Sequence, residues 1–343
     1  MYSKDDMQLH NRIIVSEMKT NTEIQDSWLI FKVANYLDVD NQYGQITNLK
    51  NFGDKLYYFQ DNAVGIASVN DRSLIIDNIN QLTLGTGDVL SRFDYIMVTN
   101  GSSIINDKSI VTSATSLYWY DFNKNTLCNI GTINGEVSKV KHVQSYYNDN
   151  YKLNRKNATS FFNKKYNEIW FKVLDKSLIY NETLGVFTSF NTHDFDHCLT
   201  FGDRNITIKN DAFYVHNDLI NEDMTVEPMI SKLHIVVNDN FMYTKTFDNV
   251  MFYADFKNNI NNITSILFST KTQNTLKIDA NDIECREDDY RFAIPRESQG
   301  NTGMSYAGRM RGKYLEEFYT FDCTNNKTFK IPYIKTTYRQ SRL

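Results

Sequence analysis

The 343-residue sequence predicts an all-β protein: propeller-like repeated small sheets followed by a β-sandwich-like C-terminal domain. Two features of the composition predict strands and tight turns, since the chain contains 22 Tyr, 22 Phe and 40 Asn. Tyr and Phe favour strands, and Asn favours turns because it tolerates a left-handed backbone. The third observation is a loose repeat in which an aromatic strand, a polar turn and a second strand follow one another.

Four copies of this repeat are visible. Their aromatic strands are Leu56-Tyr57-Tyr58-Phe59, Leu117-Tyr118-Trp119-Tyr120, Glu168-Ile169-Trp170-Phe171 and, more weakly, Ala212-Phe213-Tyr214-Val215. The steps of about 61, 51 and 44 residues approach the ~40–50-residue period of propeller blades once insertions are allowed. A β-sandwich whose strands merely share this composition is the alternative.

The domain organisation predicted from the sequence has three parts. Residues 1–45 are an entry segment, residues 46–224 a propeller-like β domain, and residues 225–343 a C-terminal β domain with an extended basic tail. Within the entry segment, residues 26–37 favour a strand over a helix because they are rich in aromatic and β-branched residues. Two Ile-Pro steps in the tail predict a course along a sheet edge.

The charge distribution suggests where the chain contacts other subunits. The net charge of −4 excludes a strongly basic protein that coats nucleic acid. Residues 286–343 carry 11 Lys and Arg against 7 Asp and Glu, so this tail is at +4 and the remainder at −8. The candidate inter-subunit contacts are Arg296, Arg309, Arg311 and Lys313. A solvated or internally paired face is the alternative for this cluster.

The sequence contains no recognisable catalytic motif, and no catalytic residue, metal ligand or cofactor is predicted. The segment His193-Asp194-Phe195-Asp196-His197 lacks metal-ligand spacing, and residues 38–44 match a turn better than a calcium loop. Glu316 and Glu317 are adjacent, which in a strand places the two carboxylates on opposite faces. The four scattered cysteines predict buried thiols in a reducing compartment. Neither a signal peptide nor a membrane-spanning segment is expected.

Several segments, taken in order along almost the whole chain, carry a resemblance to one family. They include Glu23-Ile24-Gln25-Asp26-Ser27-Trp28, Asn35-Tyr36-Leu37-Asp38-Val39-Asp40, Ser68-Val69-Asn70-Asp71-Arg72, Leu84-Gly85-Thr86-Gly87, Thr246-Phe247-Asp248-Asn249, Tyr290-Arg291-Phe292-Ala293-Ile294-Pro295-Arg296, Arg309-Met310-Arg311-Gly312-Lys313-Tyr314 and Ile331-Pro332-Tyr333-Ile334-Lys335-Thr336. With these segments the chain resembles the C-terminal part of the muzzle proteins (tail stabilisation or tail tube proteins) of crAss-like bacteriophages.

The resemblance implies a non-enzymatic structural protein of the virion tail, assembled in the bacterial cytoplasm. It implies a cyclic homo-oligomer, hexameric in the family, that contacts other tail proteins and surrounds the DNA exit channel. Genomic DNA would pass through the lumen without sequence-specific contact. Muzzle proteins are much longer than this chain, so a split gene, processing or several polypeptides per muzzle is expected. A glycan-binding receptor-recognition module is the alternative, and a polysaccharide-cleaving tail enzyme is a third.

Overall fold

The computed structural model describes residues 9–17, 26–69, 89–103, 108–149, 158–173, 176–202, 204–216, 230–256, 263–278, 283–286, 289–296, 308–322 and 329–341. The chain divides into two compact units, Met1–Asp218 and Leu219–Leu343. The all-β prediction is confirmed, because small antiparallel sheets dominate both units. The described helices are short: α1 Val137–Val140, α2 Gln144–Asp149, and single 3-10 turns at Ser27–Leu29 and Asn41–Tyr43.

The first unit begins with a two-stranded entry sheet, β1 Arg12–Ile14 paired with β2 Tyr36–Asp38. The strand predicted over residues 26–37 is wrong for most of its length. Residues 27–29 form a 3-10 turn, and regular pairing starts only at Tyr36. Glu17 N donates to Ile30 O at 2.9 Å and Val15 N to Asn35 O at 3.1 Å, so this stretch is held by scattered bonds rather than by a ladder.

Four antiparallel meanders follow, each with its strands paired in chain order. Sheet A contains β3 Ile46–Phe52, β4 Lys55–Gln60, β5 Val64–Val69 and β6 Leu90–Met97. Sheet B contains β7 Val111–Thr112, β8 Leu117–Asp121, β9 Thr126–Ile130 and β10 Gly135–Glu136. Sheet C contains β11 Thr159–Asn163, β12 Glu168–Lys172, β13 Ser177–Asn181 and β14 Val186–Asn191. Sheet D contains β15 His197–Phe201, β16 Arg204–Lys209 and β17 Ala212–His216.

The repeat seen in the sequence corresponds to a fixed position in three of these sheets. Its first three aromatic strands are β4, β8 and β12, the second strand of sheets A, B and C. The fourth copy is displaced, because Ala212–His216 is the third strand of sheet D and Arg204–Lys209 is the second. The closure of these sheets into a propeller stays a proposal.

The sheets pack face to face because successive side chains of a strand point to opposite faces. In β8, Leu117 and Trp119 join a core with residues of sheet A, whereas Tyr118 and Tyr120 join a core with sheet C. The rings of Phe59 and Trp119 meet edge to face at 5.4 Å across the first of these junctions. Each large side chain buried in this way contributes about 1.5–3 kcal/mol.

The remaining junctions follow the same rule. On sheet A, Tyr58 faces the entry sheet, where it packs with Ile13 and Val39. On sheet C, Ile169 and Phe171 face sheet B. The opposite face of sheet C contributes to a core of Phe161, Trp170, Ile179 and Phe195, against which Cys198 of sheet D packs. The junctions from the entry sheet through sheet C are therefore apolar on both sides, whereas sheet D meets sheet C through Cys198 on a side that also carries polar residues.

Buried polar groups connect adjacent sheets at their ends. Gln60 is fully buried; its side-chain amide nitrogen donates to the carbonyl oxygens of Asp40 and Gly44 at 2.8 Å, and its main-chain carbonyl accepts from Ser102 N at 2.9 Å. Between sheets B and C, Oε1 of Glu182 accepts hydrogen bonds at 2.5, 2.8 and 3.0 Å. Their donors are the hydroxyls of Ser113, Thr115 and Tyr118.

Gly101 lies at the joint between sheets A and B, where a side chain does not fit. A Cβ at this position would lie 2.2 Å from the carbonyl oxygen of Gln60. Its own carbonyl accepts from Trp119 Nε1 at 3.1 Å, and its N–H donates to Asp121 Oδ2 at 3.3 Å. Burial raises the pKa of Asp121, a cost offset in part by backbone donors from its own turn.

We expect Gly101→Ala to lower the free energy of unfolding by about 1–3 kcal/mol, because the added methyl meets main chain that has no room to move. Gly135→Ala is the matched control, since no atom lies within 4 Å of its Cβ position. Urea unfolding followed by tryptophan fluorescence measures both. Equal effects of the two substitutions would contradict the close approach at Gly101.

The second unit contains two sheets that share one core. Sheet E has the order β18 Ile230–Val237, β24 Leu315–Asp322 and β20 Ile263–Ser269. The long strand β19 Lys245–Phe256 organises sheet F. On one edge it pairs with β22 Asp289–Ala293 and β23 Arg311–Gly312, and on the other with β25 Phe329–Gln340. The free edge of β22 pairs with β21 Glu284–Arg286. Side chains from both sheets meet in one cluster, as a sandwich requires.

The basic tail of residues 286–343 is not a separate arm. Its strand β24 is the middle strand of sheet E, paired on both sides. Strand β25, which contains Pro332, lies at the edge of sheet F with β19 as its partner. The predicted course along a sheet edge therefore holds for β25. It does not hold for β24, whose alternating pattern belongs to a strand at the centre of a sheet.

A carboxylate lies inside the second core. Strand β24 alternates buried and half-buried residues, and Glu317, with no exposed surface, is on its inward side. Its two oxygens accept from Thr336 Oγ1 at 2.5 Å and Tyr319 OH at 2.7 Å. Burial raises the pKa of Glu317 above its usual range, and these two donors offset only part of that effect. The neighbouring Glu316 lies on the outward face, as the adjacent pair predicts.

We expect Glu317→Gln to remove a pH dependence of stability. Because the pKa of Glu317 is raised in the folded state, its contribution is complete below the ordinary carboxyl pKa and is lost as pH rises through the folded value. Wild type should therefore lose free energy of unfolding, relative to Glu317→Gln, between acidic and neutral pH. Urea titrations at several pH values measure this difference, and Glu316→Gln is the outward control. Parallel pH profiles for wild type and Glu317→Gln would exclude the effect.

Candidate interaction surfaces

The described residues contain no group of three or more His, Cys, Asp and Glu side chains placed to hold a metal ion. The segment 193–197 instead forms an ion-paired corner beside sheet D. Asp194 contacts Lys172, and Lys209 at 3.3 Å, which lowers the pKa of its carboxyl. Burial, followed by the charge of Lys172, lowers the pKa of His193. No helix in the described part of the chain is long and apolar enough to cross a membrane.

The cysteines differ from one another in environment, so the prediction of uniformly buried thiols is wrong. Cys128 is buried between sheets A and B, and this raises its thiol pKa to about 12. Cys198 is half-buried and Cys285 is exposed. These three described cysteines are free thiols, and Cys323 lies outside the described residues.

The basic residues singled out in the sequence are exposed on the second unit. Arg309 Nη1 and Arg339 Nη2 both lie 3.0 Å from the same oxygen, Oδ1 of Asp248. Asp248 stands at a β-bulge of β19, where the register against β25 shifts, so its neighbour Phe247 still faces the core. Two guanidinium groups therefore share one carboxylate on the surface.

The other three candidate contacts are Arg296, Arg311 and Lys313, all of them exposed. Arg311 N donates to Gln273 Oε1 at 2.7 Å, and the carbonyl of Lys313 accepts from the buried Lys245 ammonium. Arg296 is exposed after β22. Arg311 and Lys313 are exposed, and these bonds fix their main chain.

The last sheet of the first unit has one uncovered apolar face. Cross-strand pairing puts six apolar side chains, together with His197 and Arg204, on the side of sheet D that points away from sheet C. The apolar ones are Leu199, Phe201, Ile206, Ile208, Phe213 and Val215, here called the end face. Phe201 is 78% exposed, Phe213 62% and Leu199 54%. The opposite side of the same sheet carries the buried polar residues Asn205 and Thr207.

A second apolar surface lies at the other end of the row. It consists of Ile14, Trp28, Leu29, Phe31, Val33 and Tyr36, here called the entry patch. The guanidinium of Arg12 stacks over the Tyr36 ring at 3.7 Å and pairs with Asp38 at 2.6 Å. Val33, at the tip, is 96% exposed. Groups of exposed large apolar side chains of this kind often mark interaction sites.

Sequence reasoning missed the end face. The signal was present, because apolar residues alternate with polar ones through His197–Phe201, Arg204–Lys209 and Ala212–His216. That alternation indicates a sheet with one apolar and one polar face. Which face points toward sheet C depends on the packing of Cys198 and Phe195, and no local pattern reports it.

A row of small sheets with apolar surfaces at both ends is typical of a structural subunit that is completed by other chains. Family comparison agrees. Residues 1–211 match the family model described as Crassvirus muzzle protein, and residues 226–297 match that of the Crassvirus muzzle protein C-terminal domain. The chain belongs to the muzzle protein family of crAss-like phages and is a structural virion protein.

A curated relative is the muzzle protein of Bacteroides phage crAss001. It is 28% identical over 194 residues, which cover 54% of this chain and 14% of the relative. The chain thus spans only a small part of the length of the relative that it matches.

Proposed function

We propose that the chain is a muzzle component that forms part of a ring around the DNA exit channel of the phage tail. The observation that carries this proposal is the apolar end face of sheet D, whose exposed side chains offer a surface to a further subunit. Family membership supports a place in the virion, and a closed cyclic homo-oligomer, hexameric by resemblance to the family, satisfies such surfaces without leaving free ends.

The role is structural rather than catalytic. The polar clusters among the described residues are engaged in joints between sheets or in surface ion pairs, as at Glu182 and Asp194. The net charge of −4 suits a wall along which DNA slides, because a strongly basic lumen would hold the phosphates. The match covers 14% of the relative, so the role of the whole muzzle is carried to this chain as a proposal.

The test of this role is the position of the chain in the particle. Cryo-electron microscopy of purified virions carrying a small tag on this chain should show cyclic density at the distal end of the tail. The structural proposal fails if the tag is absent from complete virions. Binding of host glycans by the isolated chain, with the tag on lateral fibres, would favour the receptor module, and turnover of capsule would favour the tail enzyme.

We further propose that Arg296, Arg309, Arg311 and Lys313 contact acidic groups of a neighbouring subunit. Arginine pairs with carboxylates through two parallel hydrogen bonds, which suits an interface between chains of opposite local charge. Arg309 already shares Asp248 with Arg339, so two positive charges face one negative charge within the chain. This imbalance leaves the surface able to accept a further carboxylate.

We expect the double substitution Arg309→Ala and Arg311→Ala to lower the fraction of tail-complete virions. Folding should change little, because an exposed ion pair such as Arg309–Asp248 contributes about 0.2–1 kcal/mol. Electron microscopy of particles gives the fraction, and urea unfolding of the purified chain checks the fold. Arg92→Ala, which removes the exposed pair with Asp94, is the matched control.

Two results would contradict the contact. Normal tails with altered DNA retention or ejection would place the arginines at the lumen. Normal tails with normal ejection would leave only a solvated face.

A further inference from the structure

We propose that strand β25 acts as a strap, held against the core of the second unit while Glu317 is protonated and loosened when this carboxyl loses its proton. The strap lies within the second unit and is independent of the proposed function. Two observations carry it. A fully buried carboxyl group is bonded to β25, and β25 is attached less firmly than the strands beside it.

Strand β25 is attached to the unit along one edge. In the described part of the chain it pairs with β19, and two bulges interrupt that ladder. None of the side chains at residues 330–340 is buried, and Ile331, Ile334 and Tyr338 are half-buried against the core. Strand β24, by contrast, is paired on both sides and alternates buried and half-buried residues. Local opening of this unit therefore costs less at β25 than at β24.

Glu317 makes a polar contact between β25 and sheet E. Its Oε1 lies 2.5 Å from Thr336 Oγ1 of β25, and its Oε2 accepts from Tyr319 OH, on its own strand, at 2.7 Å. The residues opposite it on the neighbouring strands are apolar, Ile235 on β18 and Phe268 on β20. Within the described ranges no lysine, arginine or histidine pairs with this carboxyl. Its surroundings thus offer two hydroxyls and no countercharge.

The other titratable groups that face this core from the neighbouring strands keep to partners of their own. Tyr290 of β22 stacks on a ring of β19, and the Tyr338 hydroxyl of β25 donates to a surface carboxylate. The Lys245 ammonium of β19 is bonded to a main-chain carbonyl and lies 5.5 Å from the centre of the Tyr338 ring. Burial raises the pKa of the Tyr319 phenol, which therefore keeps its proton where carboxyls titrate.

The surface carboxylates that bond β25 respond to pH in the opposite direction. They accept hydrogen bonds from side chains of β25, and protonation removes the charge that strengthens such bonds. These contacts therefore weaken in acid, whereas loosening of β25 toward neutral pH points to Glu317. The three carboxylates are Asp239, Asp248 and Asp289, bonded to Tyr338 at 2.6 Å, Arg339 at 3.0 Å and Tyr333 at 3.1 Å.

The two protonation states of Glu317 differ in what they require. A neutral carboxyl group can donate to one hydroxyl and accept from the other, which satisfies both of its oxygens in an apolar core. An ionised one is a buried charge without a cation, and water reaches it when β25 moves away. Burial raises the pKa of Glu317 while β25 is in place. The hold on β25 is therefore complete below the ordinary carboxyl pKa and is lost as pH rises through the raised value.

Loosening of β25 frees one edge of β19, Lys245–Phe256, while β22 and β23 stay on the other edge. The freed edge presents main-chain N–H and C=O groups along a strand of 12 residues. An edge of this kind takes up a strand from another chain. The protonation of one buried carboxyl thus controls whether this edge is available.

Amide hydrogen exchange of the full chain, followed by mass spectrometry between about pH 5 and about pH 8, measures the opening of β25. Peptides that cover β25 are compared with peptides that cover β22, on the other edge of β19. Glu317→Gln keeps the shape and hydrogen bonds of the protonated carboxyl. Wild type and variant are compared at the same pH, so the intrinsic pH dependence of exchange cancels. Glu316→Gln is the matched control, because Glu316 lies on the outward face, 3.5 Å from His234.

At about pH 8 we expect β25 of wild type to exchange at least about tenfold faster than β25 of Glu317→Gln, since one pKa unit corresponds to a tenfold change in an equilibrium constant. At about pH 5 the two should exchange equally. Strand β22 should exchange alike in both proteins at each pH, and Glu316→Gln should follow wild type.

Two results would overturn the proposal. Equal exchange of β25 in wild type and Glu317→Gln at every pH shows that the carboxyl does not hold the strand. A response of β22 as large as that of β25 shows that the carboxyl acts on unfolding of the whole unit. If Glu317→Gln does not fold, wild type alone decides. After correction for intrinsic exchange, a protection of β25 relative to β22 that does not fall between about pH 5 and about pH 8 excludes the strap.

Discussion

The first unit depends on apolar packing between neighbouring sheets, which buries the faces of each small sheet. Small sheets of three or four short strands gain stability when an apolar face is removed from water by packing against another element. Aromatic residues on alternate positions, such as Trp119 and Tyr120 in β8, let one strand supply two cores. Polar joints at Gln60 and Glu182 then fix how neighbouring sheets meet. A row built in this way has two ends, and both are apolar.

The second unit solves the same problem differently. Two sheets there face each other across one core, so each sheet needs only one apolar face, and β24 alternates accordingly. The exception is Glu317, which has an inward position but is held by hydroxyls from both sheets, Tyr319 on sheet E and Thr336 on sheet F. A buried carboxylate bonded in this way favours one register between the sheets at a cost in desolvation.

Local pattern predicted much of this fold and little of its surfaces. The aromatic runs that contain Tyr58, Trp119 and Trp170 identified strands that occupy equivalent positions in three sheets. Most of residues 26–37 do not form the expected strand, because strand propensity alone does not supply a neighbouring strand to pair with. The meeting of Arg309 and Arg339 at Asp248 joins residues 61 and 91 positions apart, so it follows from topology alone. The basic cluster was visible in the sequence, whereas its internal carboxylate was not.

Amide hydrogen exchange on the full chain tests most directly whether each sheet depends on cover by the next. In dispersed chains the account predicts slow exchange in sheet B, whose two faces are covered, and faster exchange in sheet D, whose end face is open. On assembly, the amides of Arg204–Lys209 should become protected while those of Leu117–Asp121 stay unchanged. Equal protection of sheets B and D in dispersed chains, unchanged on assembly, would contradict the account.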